Sequence, residues 1–229
     1  YSEAEPLYRR GLAIHERTLG ASHPQIATDL NNYALLCRRM GRTEQAAEFY
    51  RRALSINEHR LGKANAVYAA TLNNLAQLEM DGGHWQEAIK HYEMAIDIWQ
   101  EVFGPDHPSV ASGFTNLGAV YQSRHKLDKA EALYRRALEI DEHRLSPDDP
   151  KIAVDLNNLG SISTLQRRYA EAETMLLRSL SIDERVPGFD HAHTATVLQN
   201  LGALSTRAKK YREAEDYYRR AVAIEEKLW

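Results

Sequence analysis

Tyr8, Tyr50, Tyr92, Tyr134, Leu176 and Tyr218 stand 42 residues apart, and Ala4, Ala46, Ala88, Ala130, Ala172 and Ala214 keep the same step four residues earlier. No insertion disturbs the register. A chain that repeats at a fixed period of this size is built from one supersecondary unit, each copy burying its apolar face only against its neighbours. A second series runs through Asn32, Asn74, Asn116, Asn158 and Asn200, each inside a variant of the block Leu-Asn-Asn-Leu-Gly, from Leu30–Ala34 to Leu198–Gly202. Two series per period predict two elements per repeat.

Both elements read as helices. In the first, Leu72, Leu75, Ala76 and Glu79 fall at i, i+3, i+4 and i+7, and the equivalents Leu30, Tyr33, Ala34, Cys37 and Phe114, Leu117, Gly118, Tyr121 complete an apolar stripe in which Glu79 is the exception. In the second, Ala130, Leu133, Tyr134, Ala137, Leu138 and Ile140 form another stripe. Small residues alternate with large ones, so neighbouring helices can approach at Ala or Gly while Tyr and Leu fill the space beside them.

Punctuation sets the boundaries. Pro24, Pro108 and Pro150 stand at first helical positions, where a missing N–H is harmless, and at Asn65-Ala66 an N-cap takes the place of proline. Gly20, Gly62, Gly104 and Gly188 close the preceding helices in a left-handed conformation, with Ser146 the exception, and Gly41 and Gly83 turn the chain within the first two pairs, where His125, Arg167 and Lys209 stand later. The expected fold is all-α, one array over residues 1–229 of eleven helices: an orphan at 2–19, then repeats at 24–61, 66–103, 108–145, 150–187 and 191–228.

Composition narrows the function. A net charge of -3 lacks the basic excess with which proteins hold polyanions, so nucleic acid is excluded as a partner. No stretch approaches the ~18 apolar residues of a membrane span. One cysteine, Cys37, cannot form an internal disulfide and falls on the apolar stripe, which points to a reducing, cytoplasmic setting and a core role. His23, His107 and His191 recur 84 residues apart in the connections between repeats, which makes them helix caps rather than metal ligands. No phosphate loop, nucleophile elbow or dinucleotide turn occurs. An enzyme is not expected, nor any catalytic residue, metal or cofactor.

At these residues the chain resembles the tetratricopeptide repeat, whose large-Leu-Gly-Tyr and Ala-aromatic-Ala helices are matched by Leu156, Leu159, Gly160 and then Tyr169, Ala172 and Leu176, the last a departure from the aromatic. The 42-residue unit, the phrase Gly-Pro-Asp-His-Pro at Gly104–Pro108 and the paired Asn are similar to the kinesin-light-chain subtype. The resemblance implies a right-handed superhelical solenoid whose hollow takes an extended, acidic peptide.

Helix geometry places the hollow on the first helix of each pair, at positions almost opposite the core stripe. The lining is short, polar and mostly uncharged, and its amides and hydroxyls can both donate to and accept from a peptide backbone. Asn within a helix gives up some propensity, so its recurrence calls for a compensating contact, either a peptide or the backbone of the adjacent helix. The expected peptide-binding residues are Asn31, Asn32, Arg38, Arg39, Asn73, Asn74, Gln77, Asn116, Gln122, Asn157, Asn158, Gln199, Asn200 and Arg207. A basic rim at the turns within pairs favours a guest with Asp or Glu beside an aromatic anchor, although complementarity to helix ends accounts for much of that charge.

The expected function is therefore a non-catalytic adaptor that binds a peptide in its hollow. The alternative is a structural, sensor or autoinhibitory arm of a larger signalling ATPase or protease, acting through the outer Arg9, Arg10, Arg51, Arg52, Arg135, Arg136, Arg219 and Arg220 or by oligomerisation. The apolar faces of the terminal helices, Ala214, Tyr217, Ala221 and Ile224 among them, allow self-association.

Overall fold

The structure, a computed structural model, describes residues 3–185 and 191–227. Among them the regular elements are eleven helices: α1 (Ala4–Leu19), α2 (Pro24–Arg39), α3 (Thr43–Leu61), α4 (Ala66–Asp81), α5 (Trp85–Phe103), α6 (Pro108–Ser123), α7 (Leu127–Arg144), α8 (Pro150–Leu165), α9 (Tyr169–Arg185), α10 (His191–Arg207) and α11 (Tyr211–Glu225). They coincide with the expected helices to within a few residues. The expected limits at 2, 187 and 228 lie outside the described residues, as does Gly188.

The chain falls into two compact units, Tyr1–Val120 and Tyr121–Trp229. In the first, α2 pairs with α3 and α4 with α5, while α1 lies on α2 and α3 on α4. Its core holds Ile26, Leu30, Tyr33, Cys37, Tyr50 and Leu75. In the second, α8 pairs with α9 and α10 with α11, while α7 lies on α8 and α9 on α10. Tyr134, Leu159, Leu176, Leu198 and Leu201 are central there. Cys37 is a core residue as expected, and burial pushes its thiol pKa up. Glu79, the exception in the apolar stripe, is accommodated by a polar partner: it sits 2.7 Å from the His91 ring.

Small residues meet large ones within each pair. A Cβ built on Gly160 would lie 2.6 Å from Leu176 Cγ, and one on Gly202 2.7 Å from the Tyr218 ring. Glycine therefore sets how closely these helices approach.

Caps follow the punctuation. The Nδ1 atoms of His23 and His107 accept from the backbone N–H of Gln25 and Ser109, while Asn65 and Asp149 accept from Tyr68 and Lys151. The His191 side chain lies outside the described residues. Gly20, Gly62 and Gly104 differ from expectation: φ is positive, but ψ of 149°, 172° and 162° puts them in the extended region that is essentially reserved for glycine, not in the left-handed helical well. Without glycine at 146, α7 ends on an extended Leu145 with φ -112°.

Each turn within a pair closes by one pattern. Arg42 N–H donates to the Cys37 carbonyl and Gly41 N–H to that of Arg38, and the same two bonds recur at 83–84, 125–126, 167–168 and 209–210. This double closure requires a positive φ at its first donor. Gly41 and Gly83 supply it freely, whereas His125, Arg167 and Lys209 are held at φ 55°, 62° and 63°. A side chain there costs about 1–2 kcal/mol, partly offset by the entropy that glycine adds to the unfolded chain. His125→Gly, Arg167→Gly and Lys209→Gly are each expected to raise stability by roughly 0.5–1 kcal/mol, read as a higher urea midpoint.

Candidate functional site

The paired asparagines sit on the first helices and join consecutive repeats. Asn74 Nδ2 donates to Asn31 Oδ1 at 3.0 Å and Asn116 Nδ2 to Asn73 Oδ1 at 2.9 Å in the first unit; Asn200 Nδ2 donates to Asn157 Oδ1 at 2.8 Å in the second. The compensating contact is thus the carboxamide of the preceding repeat, not the backbone of the adjacent helix. Asn31, Asn73 and Asn157, the first asparagine of each of these pairs, receive on their oxygens. Their NH2 groups are the ends that the ladder leaves over.

Around this ladder the first unit assembles a second cluster. Arg38 Nε donates to Asp81 Oδ2 at 2.6 Å, and Gln77 Nε2 to Asp81 Oδ1 at 3.2 Å. The hydroxyl of Tyr92 donates to Gln77 Oε1 at 3.2 Å. In the second unit the Tyr134 hydroxyl donates to Gln122 Oε1 at 2.8 Å, and Gln122 Nε2 to Ser161 Oγ at 3.4 Å. Burial pushes the phenol pKa values of Tyr92 and Tyr134 far up, so both remain donors at any physiological pH. Tyr50 is pushed up to about 12 by the same cause, and its buried hydroxyl has no partner among the described residues.

The expected site residues therefore separate. Asn31, Asn73, Asn74, Asn116, Gln77 and Arg38 come together on the first unit, and Asn157 and Asn200 on the second. Asn157 is buried and Asn158 half-buried. Gln199 instead reaches Glu225 at 2.8 Å, and Asn32 stands exposed at the outer end of the ladder. Arg39 and Arg207 are exposed. Asp81 neutralises Arg38, so the basic rim is weaker there than the sequence implies. Tyr92 and Tyr134 read as core only. Their recurring hydroxyls, each needing a partner once buried, were the signal that they also orient the site.

On the second helices, arginines are engaged between repeats. Arg52 pairs with Glu16, Arg135 with Glu171, Arg178 with Glu142 and Arg220 with Glu184. Arg9, Arg136 and Arg219 pair along their own helices. Arg52, Arg135 and Arg220 of the outer arginine series thus link helices within a unit. Among the described residues no cluster of His, Cys, Asp or Glu is arranged to hold a metal ion, and no helix is long and apolar enough to cross a membrane.

Helix pairs of one length, repeating the same small-against-large contact and amide step, define a helical-repeat protein, a class that serves generally as a scaffold for protein interactions. The chain belongs to the tetratricopeptide repeat family, whose model matches residues 1–59, 67–143 and 152–227. Over 99% of its length it is similar to 89% of BtubC (BKLC) from P. vanneervenii, at 26% identity and a TM-score of 0.78. It is similar over 90% of its length to 98% of a putative kinesin light chain with nearly identical repeats from Podosopora anserina, at 19% identity and a TM-score of 0.72. The apo form of RapI shares the fold over 98% of this chain and 70% of its own, at 16% identity and a TM-score of 0.72. No curated protein matches the sequence. The structural neighbours put the 42-residue unit among kinesin-light-chain-like arrays.

Proposed function

We propose that the chain is a non-catalytic adaptor that holds an extended peptide along the amide strip of its first helices. The observation that carries this reading is the ladder: because the oxygens of Asn31 and Asn73, both half-buried, receive the next repeat's amide, their NH2 groups are left as donors for a guest's carbonyls. Packed helices recur roughly every 8–10 Å, close to the length of three extended residues at about 3.3–3.6 Å each. The guest therefore offers one carbonyl to each repeat. Arg39 adds positive charge, and an acidic guest residue competes with Asp81 for Arg38. The buried Cys37 thiol suits a reducing compartment such as the cytoplasm.

A library of acidic-aromatic peptides, followed by fluorescence polarisation, tests this. Asn73→Ala is expected to weaken binding about fivefold, in line with about 1 kcal/mol for one hydrogen bond. Arg38→Glu with Arg39→Glu should weaken it more than about tenfold. Asp81→Asn should tighten it by releasing Arg38. An absence of saturable binding, or variants that all bind like the parent, removes the reading.

A further inference from the structure

Where one second helix follows another, an acidic residue near the start of the first meets the basic residue that precedes the next. Glu5 holds Arg42 at 2.6 Å, Glu131 holds Arg168 at 2.7 Å and Glu173 holds Lys210 at 3.2 Å. The junction of α3 with α5, internal to the first unit, breaks this series: by the period of 42 its equivalent residues are Ala47 and His84. In place of the ion pair, α3, α4 and α5 leave a groove of about 360 Å³. That is near the lower end of the roughly 300–1,000 Å³ of ligand sites, room for one long side chain. Ala47, Leu75 and Leu78 give it an apolar lining, and Glu44 of α3 and Glu87 of α5 add carboxylates. Glu87 is the equivalent of Glu171, which receives the Arg168 guanidinium at 3.2 Å. Its own cation is missing: histidine is shorter than arginine, and the His84 ring lies back toward Gly82, where a Cβ would come 3.0 Å from its Cδ2. Glu44, Glu87 and the nearby Arg51 are exposed and form no ion pair among the described residues. Glu79, which also faces the groove, is taken by His91 at 2.7 Å. Two unpaired carboxylates against one unpaired guanidinium leave the groove short of a cation.

We propose that this groove docks an arginine side chain of a partner protein. The aliphatic stem lies along Ala47, Leu75 and Leu78, and the guanidinium enters between Glu44 and Glu87. The guest thereby supplies the cation that Arg168 supplies from within the chain in the second unit. There the guanidinium joins carboxylates of two different helices, Glu131 of α7 and Glu171 of α9, a task for which the planar fork of arginine is better shaped than the point charge of lysine. Arg51 sets a limit on the guest. It repels a run of basic residues, so the docking arginine stands singly. An acidic side chain entering where the pair's carboxylate is missing would meet Arg51 but also Glu44 and Glu87, and like charges so placed oppose it.

Binding here is independent of the amide strip. The test is fluorescence polarisation of labelled nonapeptides with arginine at the centre and varied uncharged flanks, titrated with the full chain beside matched sets centred on citrulline, lysine and glutamate. Saturable binding of arginine-centred members is expected, weakened at least about tenfold when citrulline replaces the arginine and about tenfold by Glu87→Gln. Ala47→Glu combined with His84→Arg installs the pair that the second unit carries, fills the groove and should abolish binding. Arg38→Glu with Arg39→Glu, at the amide strip, should leave it unchanged. The substituted positions are exposed or half-buried, and circular dichroism verifies that each variant keeps its helices. Three results overturn the proposal: no saturable binding of any arginine-centred peptide; citrulline-, lysine- or glutamate-centred peptides that bind as tightly; or binding that persists in the variant carrying both Ala47→Glu and His84→Arg.

Discussion

Gly160→Leu is expected to lower the stability of the second unit by about 3 kcal/mol or more, a large fraction of the roughly 5–15 kcal/mol that holds a domain folded. A Cβ at this position would lie 2.6 Å from Leu176 Cγ, 2.8 Å from its Cδ2 and 3.3 Å from the Ala172 carbonyl oxygen. Leu176 cannot retreat. It is fully buried and shares a cluster with Leu180, Leu198 and Leu201, so the added side chain must push α8 and α9 apart. Overpacking of this kind costs about 1–3 kcal/mol where side chains alone yield, and more where backbone must move. Gly160→Ala meets the same Cβ clash but gains about 1 kcal/mol of helix propensity against it, so its loss is expected to be smaller than that of Gly160→Leu. Urea unfolding followed by circular dichroism separates the cases. Leu176→Ala added to Gly160→Leu should recover part of the loss by exchanging the large and small partners. As a counter-case, Gly11→Ala meets open space and should stabilise by up to about 1 kcal/mol. Equal midpoints for Gly160→Leu and the parent would mean that glycine does not set the approach of these helices.

That contact was legible in the sequence because it repeats. The register places Ala34, Ala76, Gly160 and Gly202 opposite Tyr50, Tyr92, Leu176 and Tyr218, and the helix limits follow from proline, glycine and the two stripes. Partners one repeat away were not legible. The sequence marks Asn31 and Asn74 as recurring, but that the amide of one meets the oxygen of the other depends on the spacing between neighbouring first helices. Arg38 and Asp81 lie 43 residues apart, and only the packed structure shows that the cation is already neutralised. The outer arginines were misleading for the same reason. Arg52 and Arg220 each reach a glutamate 36 residues earlier, one second helix back, so two residues that read as a free cationic face act as links between repeats. These exposed pairs contribute little stability individually. Charged residues on the inner side of a second helix were the hardest to recognise, because a period of 42 says nothing about which charge a position will bury.

Asp141 is such a residue, and Asp141→Asn is expected to stabilise the protein by about 2–3 kcal/mol at pH 7.5 and by almost nothing near pH 4. The residue is 3% exposed, and its Oδ1 has no hydrogen-bond partner among the described residues. Burial raises its pKa from 3.8 to about 6; the Lys151 ammonium works against that rise and the Asp149 carboxylate adds to it. In the unfolded chain the group ionises at its ordinary value. Between those two values the folded state binds more protons than the unfolded state, so stability falls as pH rises through the window. The penalty is absent below the unfolded pKa and complete above about 6. Asparagine removes the charge, and the site accepts that side chain: Asn57, at the equivalent position two repeats earlier, is 0% exposed. Unfolding free energies from urea titrations at pH 4, 5, 6 and 7.5 should show the variant pulling away from the parent over the middle of this range and running parallel to it above. Parent and variant curves with the same pH dependence throughout would mean that Asp141 reaches water or a cation in solution and carries no buried charge.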